Sequence, residues 1–96
     1  MFIAHRINFL TKETAQTLFQ EVDGIEFDVR SVNDAILVTH DPFTGGQELG
    51  EFIHFLNPSK FYIINVKCEG IEEECIRRMD AAGCKNFFYL IAAFLL

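Results

Sequence analysis

Short apolar runs at residues 2–4, 22–29, 61–66 and 87–90 alternate with segments long enough to hold a helix. Nothing else in the chain restricts its fold as much. Strands joined through helices run parallel, so the alternation predicts an α/β fold with a largely parallel sheet. Residues 11–21 read as the first helix, with Thr11 placed to cap it and Ala15, Leu18 and Phe19 on one side. Residues 48–55 read as the second, with Leu49, Phe52, Ile53 and Leu56 along one flank. Residues 71–82 read as the third. Its acidic start (Glu72, Glu73, Glu74) and later Arg77 and Arg78 suit the helix dipole, and Gly83 ends it. One connection breaks the rule. Residues 31–34 are a turn too short for a crossover, so the strand at 35–39 should return as a hairpin on the one before it.

Ninety-six residues make one small domain, and 11 phenylalanines supply ample core. The net charge of −6 argues against a nucleic-acid partner or a basic membrane-docking surface. Cys68, Cys75 and Cys84 are spaced for neither zinc nor a disulfide framework, so they read as reduced thiols in a cytoplasmic protein. No secretory leader is visible, because His5 and Arg6 interrupt the apolar start. The uncharged residues 87–96 fall short of the roughly 20 a transmembrane helix needs, and read as core strand. His54, on the second helix, reads as a surface residue.

Ionisable residues gather at the strands. His5-Arg6 follows the first apolar run, Glu26 and Asp28 interleave with Ile25, Phe27 and Val29, and His40-Asp41 follows residues 36–39. Residues at i and i+2 of a strand share a face, so Glu26 and Asp28 point together, away from the apolar three. Paired carboxylates can hold a hard cation, and histidines exchange protons near neutrality. Asp41 can orient His40 or cap the loop that follows.

The order and spacing of His5-Arg6, Gly24-Ile25-Glu26-Phe27-Asp28-Val29 and His40-Asp41 resemble the opening of glycerophosphodiester phosphodiesterases. The likeness extends through Lys67, about two-thirds of the chain. It implies the N-terminal part of a (β/α)8 TIM-type barrel, here about three to four β/α units, since a whole barrel takes roughly 250 residues. Residues 1–96 would then be a single partial phosphodiesterase-like domain. The resemblance further implies metal-assisted cleavage of a small or lipid-derived phosphodiester. His5 and His40 would be acid and base, Arg6 and Lys67 would bind the substrate phosphate, and Glu26, Asp28 and Asn65 would hold Mg²⁺ or Ca²⁺. Asn65 departs from the family's pattern: most members carry glutamate there, whereas this chain reads Asn65-Val66-Lys67. An amide oxygen can coordinate calcium but brings no charge. Ile7 stands where the family has glycine, and the family's P-E-N-T shrinks to Lys12-Glu13-Thr14.

Two rivals accompany this reading. One is a truncated, non-catalytic remnant of the same fold. The other is an interaction module that forms a homo-oligomer through exposed sheet edges, which a partial barrel would leave unpaired.

Overall fold

The computed structural model describes residues 1–41 and 45–91. Loop residue Pro42 and the tail at 92–96, both part of the sequence reading, lie outside them. The elements in chain order are β1 (Ile3–Ala4), α1 (Lys12–Glu21), β2 (Gly24–Val32), β3 (Ala35–Val38), β4 (Gln47–Glu48), α2 (Leu49–His54), β5 (Phe61–Val66), α3 (Glu72–Ala81) and β6 (Phe87–Ile91).

Each helix forms for a local reason. The Thr11 hydroxyl accepts the Thr14 amide at 3.1 Å, and the Thr14 hydroxyl accepts the Thr11 amide at 2.8 Å. This is a reciprocal cap with threonine in the place glutamate commonly takes, and such caps contribute about 1 kcal/mol. Glu48 caps α2 by accepting the Glu51 amide at 3.2 Å. It also takes Arg78 of α3 at 3.0 Å, so one carboxylate joins two helices. Gly83, at φ 79°, stops α3.

The strands lie in the order β4-β3-β2-β5-β6, with β1 also on β2. β1, β5 and β6 join in parallel pairings, whereas β3 runs antiparallel to β2 and β4 antiparallel to β3. This mixed sheet corrects the expectation of a (β/α)8 barrel segment with a largely parallel sheet. The cause is local. Asn33 and Asp34 sit at φ 51° and 68°, the left-handed region these two residues tolerate best after glycine. Two such residues make a tight hairpin turn that reverses the chain within one strand spacing. The turn is shorter than residues 31–34, and Ser31 and Val32 remain in β2. β4, a second antiparallel addition absent from the sequence reading, is admitted by Gly46. A Cβ there would stand 2.5 Å from the Val38 carbonyl oxygen.

The β1, β2, β5, β6 series follows chain order across the sheet. Right-handed crossovers taken in one direction place their helices on one face. Phe19 of α1 meets Tyr62 edge-on at 6.3 Å, Phe52 of α2 lies 4.7 Å from Phe27, and Cys75 and Met79 of α3 complete the same core. Ile25, Phe27, Val29, Tyr62, Ile64 and Val66 supply the sheet side of it. The Tyr62 hydroxyl donates to the Asn57 carbonyl at 2.7 Å and accepts its amide at 2.8 Å. Burial raises its pKa, so it stays neutral.

All three thiols are free. Burial pushes the Cys75 thiol up to about 11, against the pull of Arg78. His54 is exposed, as read, and its ring meets Phe55 edge-on. The tail expectation holds in part. Residues 87–91 form a strand, but Phe88 and Leu90 are about half exposed on the face the helices leave uncovered. No helix among the described residues is long and apolar enough to cross a membrane.

Candidate functional site

The site occupies a gap in the sheet. Along one edge of β2, β1 pairs only with Gly24 and Ile25, and β3 only from Val29 onward. Residues 26–28 have no strand beside them on that edge, yet their backbone is not left unpaired. The Glu26 carbonyl accepts the Ile7 amide at 2.9 Å, and the Asp28 carbonyl accepts the Thr39 amide at 3.0 Å. The Asp28 amide donates to the side-chain carbonyl of Asn8 at 3.0 Å. A turn, a side chain and a hairpin end take the place of a strand, as buried peptide groups require.

That gap receives both histidines. β1 runs parallel to β2 and ends at Ala4, which delivers His5 beside Glu26. Its Nδ1 stands 3.3 Å from the Glu26 carboxylate. β3 runs the other way and delivers His40 beside Asp28, with Nδ1 3.5 Å from the carboxylate. The two rings therefore arrive from opposite directions, not along one common rim of parallel strand ends.

Glu26 and Asp28 point away from the helices, as their alternation with buried Ile25, Phe27 and Val29 requires. Asn65 of β5 is level with Asp28 on the neighbouring strand. Its side chain is near enough to Glu26 to help stabilise that carboxylate. Burial opposes ionisation of Glu26, but Asn65, the His5 ring and the Arg6 backbone amide outweigh it. The carboxyl is held below its ordinary range. Asp28 is only 2% exposed. Such a carboxylate must be paired, and it is. Lys67 Nζ lies 3.7 Å away and the Asn8 amide donates at 3.2 Å.

The sequence reading placed seven residues in the site. The structure gathers six of them: His5, Glu26 and Asn65 in one set, and His40, Asp28 and Lys67 in the adjoining one. Arg6 differs. Its backbone amide serves Glu26, its side chain is exposed, and among the described residues it has no carboxylate partner. Its φ of 55° is left-handed, a conformation that costs a non-glycine residue on the order of 1 kcal/mol. The turn so made lets consecutive amides of Arg6 and Ile7 both reach Glu26.

Asn8 and Arg30 escaped the sequence reading. Nothing in the spacing shows that the edge beside Asp28 lacks a strand, so the need for Asn8 was invisible. Arg30 did carry a signal. It continues the alternation of Glu26 and Asp28 onto the same face, and its guanidinium donates to the His40 carbonyl at 3.3 Å.

A hard cation would find two carboxylates and one amide here, the right donor chemistry in a small number. Among the described residues, no group of three or more His, Cys, Asp or Glu is arranged to hold a metal. Asn65 already helps stabilise Glu26, and Lys67 already neutralises Asp28. Glu26 and Asp28, with Asn65 beside them, are the residues that a divalent ion would use. His40 also lines an open groove of about 660 Å³ with Asn8, Thr39, Gln47 and Glu51. A larger groove of about 1040 Å³, between α1 and residues 54–58, contains none of the ionisable cluster.

No protein-family model matches the chain, and no curated protein or solved structure matches it either.

Proposed function

We propose that this chain binds and cleaves a small or lipid-derived phosphodiester. The observation that carries the proposal is the meeting of two histidine–carboxylate pairs at the gap beside β2, with Lys67 reaching Asp28 from the end of β5. The motif resemblance supports it independently. One histidine takes the proton of a hydroxyl as its oxygen bonds to phosphorus. The other returns a proton to the departing alkoxide as the second P–O bond breaks. Glu26 and Asp28 orient the two rings. Lys67 offers positive charge to the phosphoryl oxygens. Mg²⁺ or Ca²⁺ held by Glu26 and Asp28 would add charge stabilisation on those oxygens.

The site is open to water, with the His5 and His40 side chains 75% and 51% exposed. Enzyme sites gain strength by excluding water, so we expect slow turnover. The test is hydrolysis of an aryl phosphodiester with Mg²⁺, Ca²⁺ or Mn²⁺. Metal-dependent turnover well below about 1 s⁻¹, abolished by His5→Ala and by His40→Ala, is the expected result. Turnover that survives both substitutions would exclude this mechanism. The free, largely buried thiols suit a reducing compartment, and we place the protein in the cytoplasm on that ground.

One observation favours a second reading as an interaction module. Among the described residues, β6 ends the sheet with Phe88 and Leu90 about half exposed. An edge strand of that kind invites pairing with a second copy. Sedimentation analysis over a range of concentrations distinguishes a dimer from a monomer.

A further inference from the structure

Arg30 is the feature of the site that nothing so far uses. Its residue is half-buried on the face shared by Glu26 and Asp28. β5 runs parallel to β2 with Val66 level with Val29, which brings Lys67 level with Arg30. The two residues thus follow each other in register across β2 and the end of β5, with Lys67 Nζ at Asp28 and the Arg30 guanidinium at the His40 carbonyl. Lys67 has Asp28 as its counter-charge. Arg30 has none among the described residues, whereas Arg77 and Arg78 are both paired with carboxylates. Its Nη2 donates to the His40 carbonyl, and its Nε is buried with no hydrogen-bond partner. A buried donor without a partner is destabilising, and the guanidinium has no counter-charge among the described residues. The chain has a net charge of −6, so carboxylates are plentiful, yet none is supplied here.

We infer that Arg30 and Lys67 together form the phosphoryl-binding subsite, and that Arg6 does not. An anion bridging the two cations would supply the counter-charge that Arg30 lacks and a partner for its Nε. A guanidinium fork suits two phosphoryl oxygens at once. The bond to the His40 carbonyl fixes the guanidinium alongside the proposed acid or base, so the anion would sit next to the ring that must act on it. Arg6 lies on an exposed turn, and its contribution to the cluster is a backbone amide. The ligand's identity as a phosphodiester rests on the function proposed above. The positions of its charge partners rest on the geometry.

The test is calorimetric titration with inorganic phosphate and with dimethyl phosphate, on the wild type and on Arg30→Gln, Lys67→Gln and Arg6→Gln. Arg30→Gln and Lys67→Gln should each weaken binding by about tenfold or more, the loss of a charged hydrogen bond. Arg6→Gln should change it by less than about twofold. If Arg30→Gln binds as the wild type does, or if Arg6→Gln carries the loss, the subsite is misassigned while the phosphodiester reading survives. If the wild type binds neither anion, both fall. Should Arg30→Gln fail to melt cooperatively, Arg30→Lys takes its place. It keeps the charge and stem but not the fork, and is expected to lose affinity for both anions. Undiminished binding by that variant overturns the fork.

Discussion

Asn8 shows how much one side chain can hold in place. Its amide accepts from the backbone of Asp28 and donates to the carboxylate of the same residue. Asn8→Ala leaves a buried amide unpaired and should cost about 1–3 kcal/mol in urea unfolding. Asn8→Asp should cost more at neutral pH, because it sets a second carboxylate against Asp28, and the excess should shrink on acidification. Equal losses at pH 7 would mean that the Asp28 carboxylate is not what Asn8 serves. Glu26 gives a separate pH signature. Its folded pKa lies below the unfolded value of 4.5, so the folded state binds its proton less readily. The stabilisation is therefore present above that value and lost as pH falls through the lowered folded pKa. The stability gap between wild type and Glu26→Gln should close over that acid window in melting curves. A gap that widens on acidification would contradict the lowered pKa. Asn65→Glu should tighten Ca²⁺ and Mg²⁺ measured by calorimetry, since it adds the charge that the pair of carboxylates lacks. Unchanged affinity would show that position 65 does not face the ion.

At the scale of elements, the Asn33-Asp34 turn decides the topology. Asp34 holds φ 68° at some cost, which glycine would not bear. Asp34→Gly should therefore raise the melting temperature, by roughly 0.5–1 kcal/mol of stability. A drop would show that the Asp34 side chain earns its place by another contact. The elements also show what the sequence made legible. β5 is legible at both ends because buried Tyr62, Ile64 and Val66 alternate strictly with their neighbours. Thr11 is legible as a cap because a hydroxyl before an amphipathic run has few other uses. β4 is not. It is two residues long, and its buried member is Gln47, whose amide bonds both the amide and the carbonyl of Leu10. A polar residue buried for a partner 37 positions away leaves no local trace. The same holds for the site. Alternation within β2 places Glu26 and Asp28, whereas the roles of Asn8 and Arg30 depend on which strands stop short beside them. The sheet is mixed, not largely parallel, because one tight turn suffices to add both β3 and β4 antiparallel.

Over the whole molecule, among the described residues, helices cover one face of the sheet and the other carries the ionisable cluster. That face is ionic where β2 meets Lys67 and Asn65, and apolar toward β6, where Phe61 meets Phe88 at 5.3 Å. If edge pairing through β6 operates, Leu90→Lys should keep the protein monomeric in sedimentation at concentrations where the wild type associates. The missing strand beside residues 26–28 has a further consequence. There the lattice of peptide bonds is closed by residues 7–8 and by Thr39, two pieces of chain far apart in sequence. Neither of them is stapled on both sides as the middle of a β-strand is. The amide protons of Ile7, Asp28 and Thr39 should therefore trade with deuterium together, sooner than those of β5. The gap beside β2 would open and close as a small unit of its own, while the hydrophobic layer beneath it stays shut.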